Sequence, residues 1–285
     1  MAITIRPMEA TDAAEVQAMS WAALEPLFPG GPPQDAVTAA RAQTRLRHLV
    51  SSDPDGAWVA EEGGEIVGTA IAIVRERLWG LSLLAVAPSH QGRGTGVRLL
   101  GHALEHGDPD AARMILSSTD PRALRAYHRA GLRAHPALQA TGPANRSRIP
   151  AGLRSVPGDP DADADTIDRA SRHVRGASHL PDVPAALDAG CELLVCEDRG
   201  FALMRDGSPY LLAALDDDTA QDLLWSCLAL AAPGETVYVC HITAGNDWAL
   251  TVALDAGLSL SPDGPVFARR VRGTMAPFLP SGAYL

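Results

Sequence analysis

Short apolar runs alternate along this chain with amphipathic stretches, a pattern typical of mixed strands and helices. An apolar run at 81–87 predicts a buried strand, and an apolar face that recurs from Val97 predicts a helix soon after it. The same reading predicts further elements in the first half, which are a strand at 3–6, helices at 13–24, 34–50 and 122–130, a hairpin of 57–60 with 66–75, and a strand at 113–118.

Turn and cap residues separate these elements. Thr11-Asp12 is expected to cap the first helix, and Thr119 or Asp120 caps the helix that has Pro121 in its first turn. The Pro- and Gly-rich residues 28–33 predict a loop, and the Pro, Gly, Asp and Ala of 141–165 predict a linker. Beyond the linker, 210–215 reads as a strand and 220–232 as a helix.

The hexapeptide Gln91 to Gly96 joins the apolar strand to its helix. Its three glycines let the backbone approach a ligand closely, and the first N–H groups of the helix lack intrahelical partners. Together with the helix dipole and the charge of Arg93, these donors predict a phosphate-binding turn. The turn is not a Walker A loop, because no Gly-Lys-Ser/Thr follows, and it is not a Rossmann Gly-x-Gly-x-x-Gly.

Two motifs resemble those of the GNAT acetyltransferases. Gln91-Gly92-Arg93-Gly94-Thr95-Gly96 resembles the family's Gln/Arg-x-x-Gly-x-Gly/Ala signature, and Leu84-x-Val86-x-Pro88 resembles the strand that leads into it. Residues 120–132 resemble the family's Asn-x-x-Ala-x-x-x-Tyr-x-x-x-Gly-Phe, although Asp120 replaces Asn and Leu132 replaces Phe. The resemblance implies that Tyr127 is catalytic and protonates the departing thiolate.

The resemblance also implies an acyl-CoA cosubstrate, acetyl-CoA in the simplest case, and no metal. A main-chain N–H near Ala85 or Val86 would polarise the thioester carbonyl. The residues implied to bind the cosubstrate are Leu84, Ala85, Val86, Gln91, Gly92, Arg93, Gly94, Thr95, Gly96, Asp120, Ala123 and Tyr127.

The general base stays open at this point. The strand before the glycine turn has no Glu, which many family members place there. The candidates are Glu25, His48, His90, Ser117 acting through water, Asp120, or a chain of water molecules.

The second half repeats the first in weakened form, which indicates a diverged duplication. Ala123-Leu124 with Gly131-Leu132 six residues on reappears as Ala249-Leu250 and Gly257-Leu258. Ala253 stands where the first half has Tyr127, and Asp216-Asp217-Asp218 replaces the glycine turn. Three carboxylates would repel a diphosphate, so we expect one acyl-CoA site, in the first half.

Charge and cysteine spacing argue against a nucleic-acid-binding protein and against a zinc site. The 285 residues contain 24 basic residues, all Arg, and 34 acidic ones. Residues 1–150 carry 15 Arg and 15 Asp or Glu, whereas 151–285 carry 9 Arg and 19 Asp or Glu, which is the whole net charge of −10. No basic stripe suits nucleic acid, and the acidic half weakly favours a cationic or amine acceptor. The spacing of the four cysteines matches no zinc pattern, so reduced, buried thiols are expected.

These observations predict an α/β fold with two tandem GNAT-type domains, each a mostly antiparallel sheet flanked by helices. The predicted limits are a catalytic domain at 1–143, a linker at 144–162, a degenerate domain at 163–274 and a tail at 275–285. No apolar run is long enough to span a membrane, and the N-terminus lacks the design of a signal peptide, so a cytoplasmic monomer or homodimer is expected.

Three functions fit the sequence. The first is an acyl-CoA-dependent N-acyltransferase acting on an amine of a small molecule or peptide. The second is a non-catalytic acyl-CoA-binding sensor, which would not need Tyr127. The third is a binding module whose two halves mainly bury each other, which would not explain why one half keeps the glycines.

Overall fold

The computed structural model describes residues 2–27 and 34–285, so the loop predicted at 28–33 lies outside the described residues. The first half contains β1 (Thr4–Pro7), α1 (Ala13–Leu24), α2 (Ala36–Ser52), β2 (Ala57–Glu62), β3 (Glu65–Arg75), β4 (Leu78–Val86), α3 (Thr95–Glu105), β5 (Ala112–Leu116), α4 (Pro121–Arg129) and β6 (Arg133–Pro143). The second half contains β7 (Val156–Pro157), α5 (Ala164–Arg175), α6 (Val183–Asp188), β8 (Glu192–Cys196), β9 (Gly200–Arg205), β10 (Ser208–Ala214), α7 (Asp217–Leu230), β11 (Thr236–Thr243), α8 (Asp247–Asp255), β12 (Ser259–Arg269) and β13 (Phe278–Leu279).

The elements lie where the hydrophobic pattern placed them, with small shifts at their ends. α3 begins at Thr95 rather than at Val97, because Gly94 adopts the left-handed conformation and serves as its N-cap. Asp12 takes the predicted N-cap position of α1, but its side chain does not cap the helix. The Asp12 carboxylate accepts hydrogen bonds from the Arg6 guanidinium at 2.7 Å and the Glu9 N–H at 2.8 Å, instead of bonding the helix N–H groups.

The described strands form two sheets. Their orders are β1-β2-β3-β4-β5-β12-β6-β11 and β13-β10-β9-β8-β7. Among the paired strands of the described residues, β4 and β5 run parallel and the others antiparallel. With helices packed on the sheets, this is the mostly antiparallel α/β architecture predicted from the sequence.

The two halves exchange a strand. β12 comes from the second half and lies between β5 and β6, with Val266 opposite both Leu116 and His135. β6 comes from the first half and lies between β12 and β11. The larger sheet therefore crosses the predicted limits at 143 and 163, and the predicted linker contains β7, which pairs with β8. The division into repeated units at 1–143 and 163–274 remains a proposal.

The ends of α4 and α8 repeat the same hydrogen bonds. The Leu132 N–H donates to the Tyr127 carbonyl oxygen at 3.3 Å, and the Leu258 N–H donates to the Ala253 carbonyl oxygen at 3.0 Å. A glycine with positive φ precedes each leucine. Tyr127 and Ala253 are thus equivalent positions, as the spacing of the repeat predicts.

A buried ion network joins the two halves. The Arg75 guanidinium on β3 lies 2.7 Å from an Asp53 carboxylate oxygen and 2.6 Å from one of Asp182, which precedes α6. His48 Nε2 lies 2.9 Å from the same Asp182 oxygen. Burial alone would raise the pKa of the Asp182 carboxyl, but the hydrogen bonds from His48 and Arg75 lower it to about 2.

We expect Arg75→Met to lower the free energy of unfolding by about 3–5 kcal/mol, because it leaves two buried carboxylates without their shared cation. Urea denaturation at neutral pH measures this. Arg77→Met is the control, since Arg77 is exposed and lies 3.6 Å from Asp108, and we expect it to change stability by no more than about 0.5 kcal/mol.

The pH dependence gives a second readout of the Arg75 variant. The Asp182 pKa is lowered in the folded protein, so the stabilisation from its ionised form is complete above the ordinary value of 3.8 and disappears as the pH falls toward 2. The difference between wild type and Arg75→Met should therefore shrink over that window. A difference that stays constant would contradict the assignment.

Candidate functional site

The site lies where two parallel strands separate. β4 pairs with β5 from Leu78 opposite Ala112 to Leu81 opposite Ile115, and from there to Val86 it pairs with β3 on its other side but no longer with β5. The register of β3 and β4 shifts just beyond Leu81, which bends β4 at this point. A cavity of about 520 Å³ opens between the diverging strands.

The separation leaves one edge of β4 without a neighbouring strand. The Ala87 N–H donates to the Val67 carbonyl oxygen at 2.9 Å, which sets the alternation of the antiparallel ladder. The main-chain groups of Ala85 therefore face β3, whereas those of Leu84 and Val86 face the cavity. The Val86 carbonyl oxygen accepts from Gln91 Nε2 at 2.9 Å, and the Val86 N–H points to the opening.

The glycine turn follows β4 directly. Gly92 and Gly94 have φ values of 76° and 81°, which L-residues rarely adopt. A Cβ at either position would meet nothing within 4 Å, so the backbone conformation, not crowding, requires glycine there. Thr95 begins α3, and its hydroxyl is buried without a hydrogen-bond partner among the described residues. An unpaired donor and the free N–H groups of the α3 N-terminus suit an anionic ligand.

α4 supplies the aromatic side chain of the site. Tyr127 is buried and packs edge-on against Phe267 of β12, with ring centroids 5.5 Å apart. Burial raises the pKa of the Tyr127 hydroxyl well above its ordinary value, so the hydroxyl keeps its proton at neutral pH. The hydroxyl has no partner among the described residues, which leaves it able to donate a hydrogen bond into the cavity.

Asp120 holds the start of α4 beside the turn. Its carboxylate accepts from the Arg122 N–H at 2.8 Å and from the Arg122 guanidinium at 2.7 Å. The same guanidinium donates to Gln91 Oε1 at 2.7 Å, which links α4 to the glycine turn. The hydrogen bond from Arg122 lowers the pKa of the Asp120 carboxyl, so Asp120 stays ionised and acts here as a helix cap.

Residues 17–132 match the family model of the acetyltransferase (GNAT) family. The first half of the chain carries a GNAT domain. The GNAT assignment made from the two sequence motifs is thereby confirmed. A search of curated proteins gives no significant match.

Solved structures extend the likeness to the whole chain. A Pyrococcus horikoshii protein described as an acetyltransferase has a TM-score of 0.81 at 18% identity, with 99% of this chain and 96% of that one covered. A GCN5-related N-acetyltransferase from Sphaerobacter thermophilus has a TM-score of 0.59 at 16% identity, with 94% and 95% covered. A tandem GNAT protein from the clavulanic acid biosynthesis pathway has a TM-score of 0.55 at 15% identity, with 94% and 98% covered. The fold is therefore that of two GNAT-type domains in tandem.

The cavity brings together most of the residues implied by the GNAT motifs. Arg93 is exposed and does not line the cavity. The residues that do line it are Leu84, Ala85, Val86, Gln91, Gly92, Gly94, Thr95, Gly96, Asp120, Ala123 and Tyr127.

The candidate bases named from the sequence are engaged elsewhere or lie outside the cavity. Glu25 is exposed and His48 pairs with Asp182, and neither lines the cavity. The others line it: His90 Nε2 lies 2.9 Å from a Glu62 oxygen, the Ser117 hydroxyl donates to the Ser118 carbonyl oxygen at 2.8 Å, and Asp120 binds Arg122.

Sequence reasoning missed the residues that the second half brings to the cavity. His241 lines it from an irregularity of β11, where φ is 57° and the pairing with β6 shifts register. His241 Nδ1 lies 3.1 Å from Asp263 Oδ2 of β12, and the His241 N–H donates to the same oxygen at 2.9 Å. Tyr210, Gly282 and Ala283 also line the cavity. The strand exchange brings all of them there, and no local motif marks it.

The equivalent edge in the second half is covered. β13 pairs with β10, with Leu279 opposite Leu212 and Phe278 opposite Ala213. The Ala214 N–H donates to the Pro277 carbonyl oxygen at 3.2 Å. The tail thus occupies the edge of β10 that corresponds to the open edge of β4.

Among the described residues, no helix is long and apolar enough to cross a membrane. The same residues include no cluster of three or more His, Cys, Asp or Glu side chains placed to hold a metal ion.

We expect Thr95→Val to leave the free energy of unfolding unchanged or to raise it by up to about 1 kcal/mol, because it removes a buried hydroxyl that has no partner. Thr69→Val is the matched control. The buried Thr69 hydroxyl donates to the Trp58 carbonyl oxygen at 3.0 Å, and its loss should lower stability by about 1 kcal/mol. If both variants lose stability equally in urea denaturation, the Thr95 hydroxyl has a structural partner.

Proposed function

We propose that this GNAT protein transfers an acyl group, acetyl in the simplest case, from a coenzyme A thioester to an amine of a small molecule or peptide. The amine attacks the thioester directly while both are bound. One observation carries the proposal: the open edge of β4, the glycine turn and the unpartnered Tyr127 hydroxyl all meet in one cavity.

The glycine turn and the start of α3 are proposed to hold the diphosphate of the cosubstrate. Gly92 and Gly94 shape the turn, and the α3 N–H groups and the Thr95 hydroxyl face an anion there. Exposed Arg93 adds positive charge at the rim. The cavity-facing main-chain groups of Leu84 and Val86 are free to pair with the amide groups of the pantetheine arm.

Three groups are proposed to act on the reacting atoms. The Val86 N–H polarises the thioester carbonyl, since it faces the cavity whereas the Ala85 N–H faces β3. Tyr127, whose raised pKa keeps its hydroxyl protonated, donates a proton to the departing thiolate. His241, whose Nδ1 lies 3.1 Å from Asp263 Oδ2, accepts the proton of the attacking amine.

The second half is proposed to bind no coenzyme A of its own. β13 covers the edge of β10 on which a pantetheine arm would lie. Asp216 caps α7 by accepting the Thr219 N–H at 2.8 Å, so a carboxylate stands where the diphosphate would bind. Its role is to wall the acceptor side of the first site.

Calorimetry with coenzyme A tests the binding site. We expect about one molecule bound per chain, and Gly94→Glu should abolish binding, because it strains a positive φ and adds an anion at the turn. Gly101→Glu is the control, since Gly101 is an exposed residue of α3 with open space around it, and its affinity should stay at the wild-type value. Unchanged affinity in Gly94→Glu would reject the assignment.

Thiol release from acetyl-CoA with a panel of amines tests the chemistry and separates the enzyme from a non-catalytic sensor, which would bind coenzyme A without turnover. Tyr127→Phe should lower kcat about 100-fold or more, because it removes the acid. His241→Gln should lower the rate similarly, because it removes the proposed base. A wild-type rate in His241→Gln would show that another group is the base.

A further inference from the structure

Arg45 lies in the cavity wall on the face of the sheet away from the glycine turn. α2, which carries Arg45, packs with Leu83 and Ala85 in one hydrophobic cluster. α3 and Tyr127 belong to the cluster on the other face. Side chains alternate between faces along a strand, so the cavity passes through the sheet at the separation of β4 and β5. Arg45 therefore stands on the side from which a second substrate would approach the thioester.

Within residues 2–27 and 34–285, no hydrogen bond or ion pair joins the Arg45 guanidinium to another residue, and its Nε is fully buried. This sets it apart from the other charged side chains that line the cavity, because Arg122 binds Asp120 and His90 contacts Glu62.

Two acidic groups near α2, Asp182 and Asp206, are already used by other side chains. Asp182 binds Arg75 and His48, and Arg41, one turn before Arg45, lies 3.4 Å from Asp206. A buried N–H without a partner is unfavourable, so its persistence at a cavity wall points to a ligand that completes it.

The charge and shape of the Arg45 guanidinium indicate which anionic group it would bind. A single guanidinium balances one negative charge, and its planar fork matches the two oxygens of a carboxylate. A phosphate monoester carries about −1.5 to −2 charge at pH 7, which one Arg does not neutralise. The other side chains with which α1, the turn after it and the second half line the cavity are Ala23, Leu24, Leu27, Tyr210, His241 and Ala283.

We propose that the acceptor is an amine that also carries a carboxylate, and that Arg45 binds this carboxylate while the amine faces the thioester. The inference rests on the proposed acyl transfer for the identity of the amine, but the carboxylate site is testable without turnover.

The experiment measures melting temperature with matched pairs of ligands. ω-Amino acids of increasing length are compared with their carboxamides and with aminoalkyl phosphates, each with and without coenzyme A. Wild type should bind at least one ω-amino acid about 10- to 100-fold more tightly than its carboxamide. Arg45→Met should remove that preference and keep wild-type affinity for coenzyme A.

Arg41→Met is the matched control. Arg41 lies one turn before Arg45 on α2, is paired with Asp206 and does not line the cavity. This variant should keep the carboxylate preference. Because Arg45 makes no hydrogen bond or ion pair with the described part of the chain, the unliganded Arg45→Met variant should melt no lower than wild type, which excludes misfolding as the cause.

Equal shifts by acid and amide in wild type, or a stronger shift by the phosphate, would overturn the inference. So would a carboxylate preference that survives in Arg45→Met. Failure of coenzyme A to bind would instead reject the proposed function, so the two failures are distinguishable.

Discussion

The exchange of β6 and β12 is the constraint on which the site depends. β12 lies between two strands of the first half, and it carries Phe267, which packs on Tyr127, and Asp263, which contacts His241. The irregular part of β12 between Asp263 and Val266 lies directly against the residue that follows β5. A Cβ at Gly264 would lie 1.7 Å from the Ser117 carbonyl oxygen, so only glycine fits there. The first half alone would leave β5 and β6 without the strand between them, so neither the sheet nor the position of Tyr127 belongs to one half.

The two halves of the chain treat the exposed edges of β4 and β10 differently. A strand that separates from its neighbour leaves main-chain donors and acceptors unpaired, and buried groups of this kind need partners. In the second half, β13 pairs with β10 and supplies them. In the first half, the edge of β4 beyond Leu81 faces the cavity, and a ligand with amide groups can supply them. The chain thus carries the GNAT-type fold twice, and of these two edges the tail covers that of β10 and leaves that of β4 open.

Much of the first-half site was predictable because its signals are local. Positive φ at Gly92 and Gly94 leaves a glycine signature in six consecutive residues, and Tyr127 is recognisable by its spacing within one helix. His241 and Arg45 carry no such signature. Their roles depend on a strand pairing between distant parts of the chain and on which ion pairs form. The acidic net charge of the second half sets the electrostatic potential around the protein surface. Inside the cavity the local charge of Arg45 matters more, and in the proposal it favours an anionic group on the ligand.

In the proposed reaction, burial separates the roles of acid and base. Burial raises the pKa of Tyr127, so its hydroxyl keeps its proton, can hydrogen-bond to the departing thiolate and cannot accept a proton from an amine. A separate base is then required, and Asp120 is held ionised as a cap by Arg122. His241 enters the cavity from the other half, with its Nδ1 3.1 Å from Asp263 Oδ2, and is the base in that proposal. In the proposed reaction, the acid and the base therefore come from different halves of the chain, and the exchanged strand β12 contacts both residues.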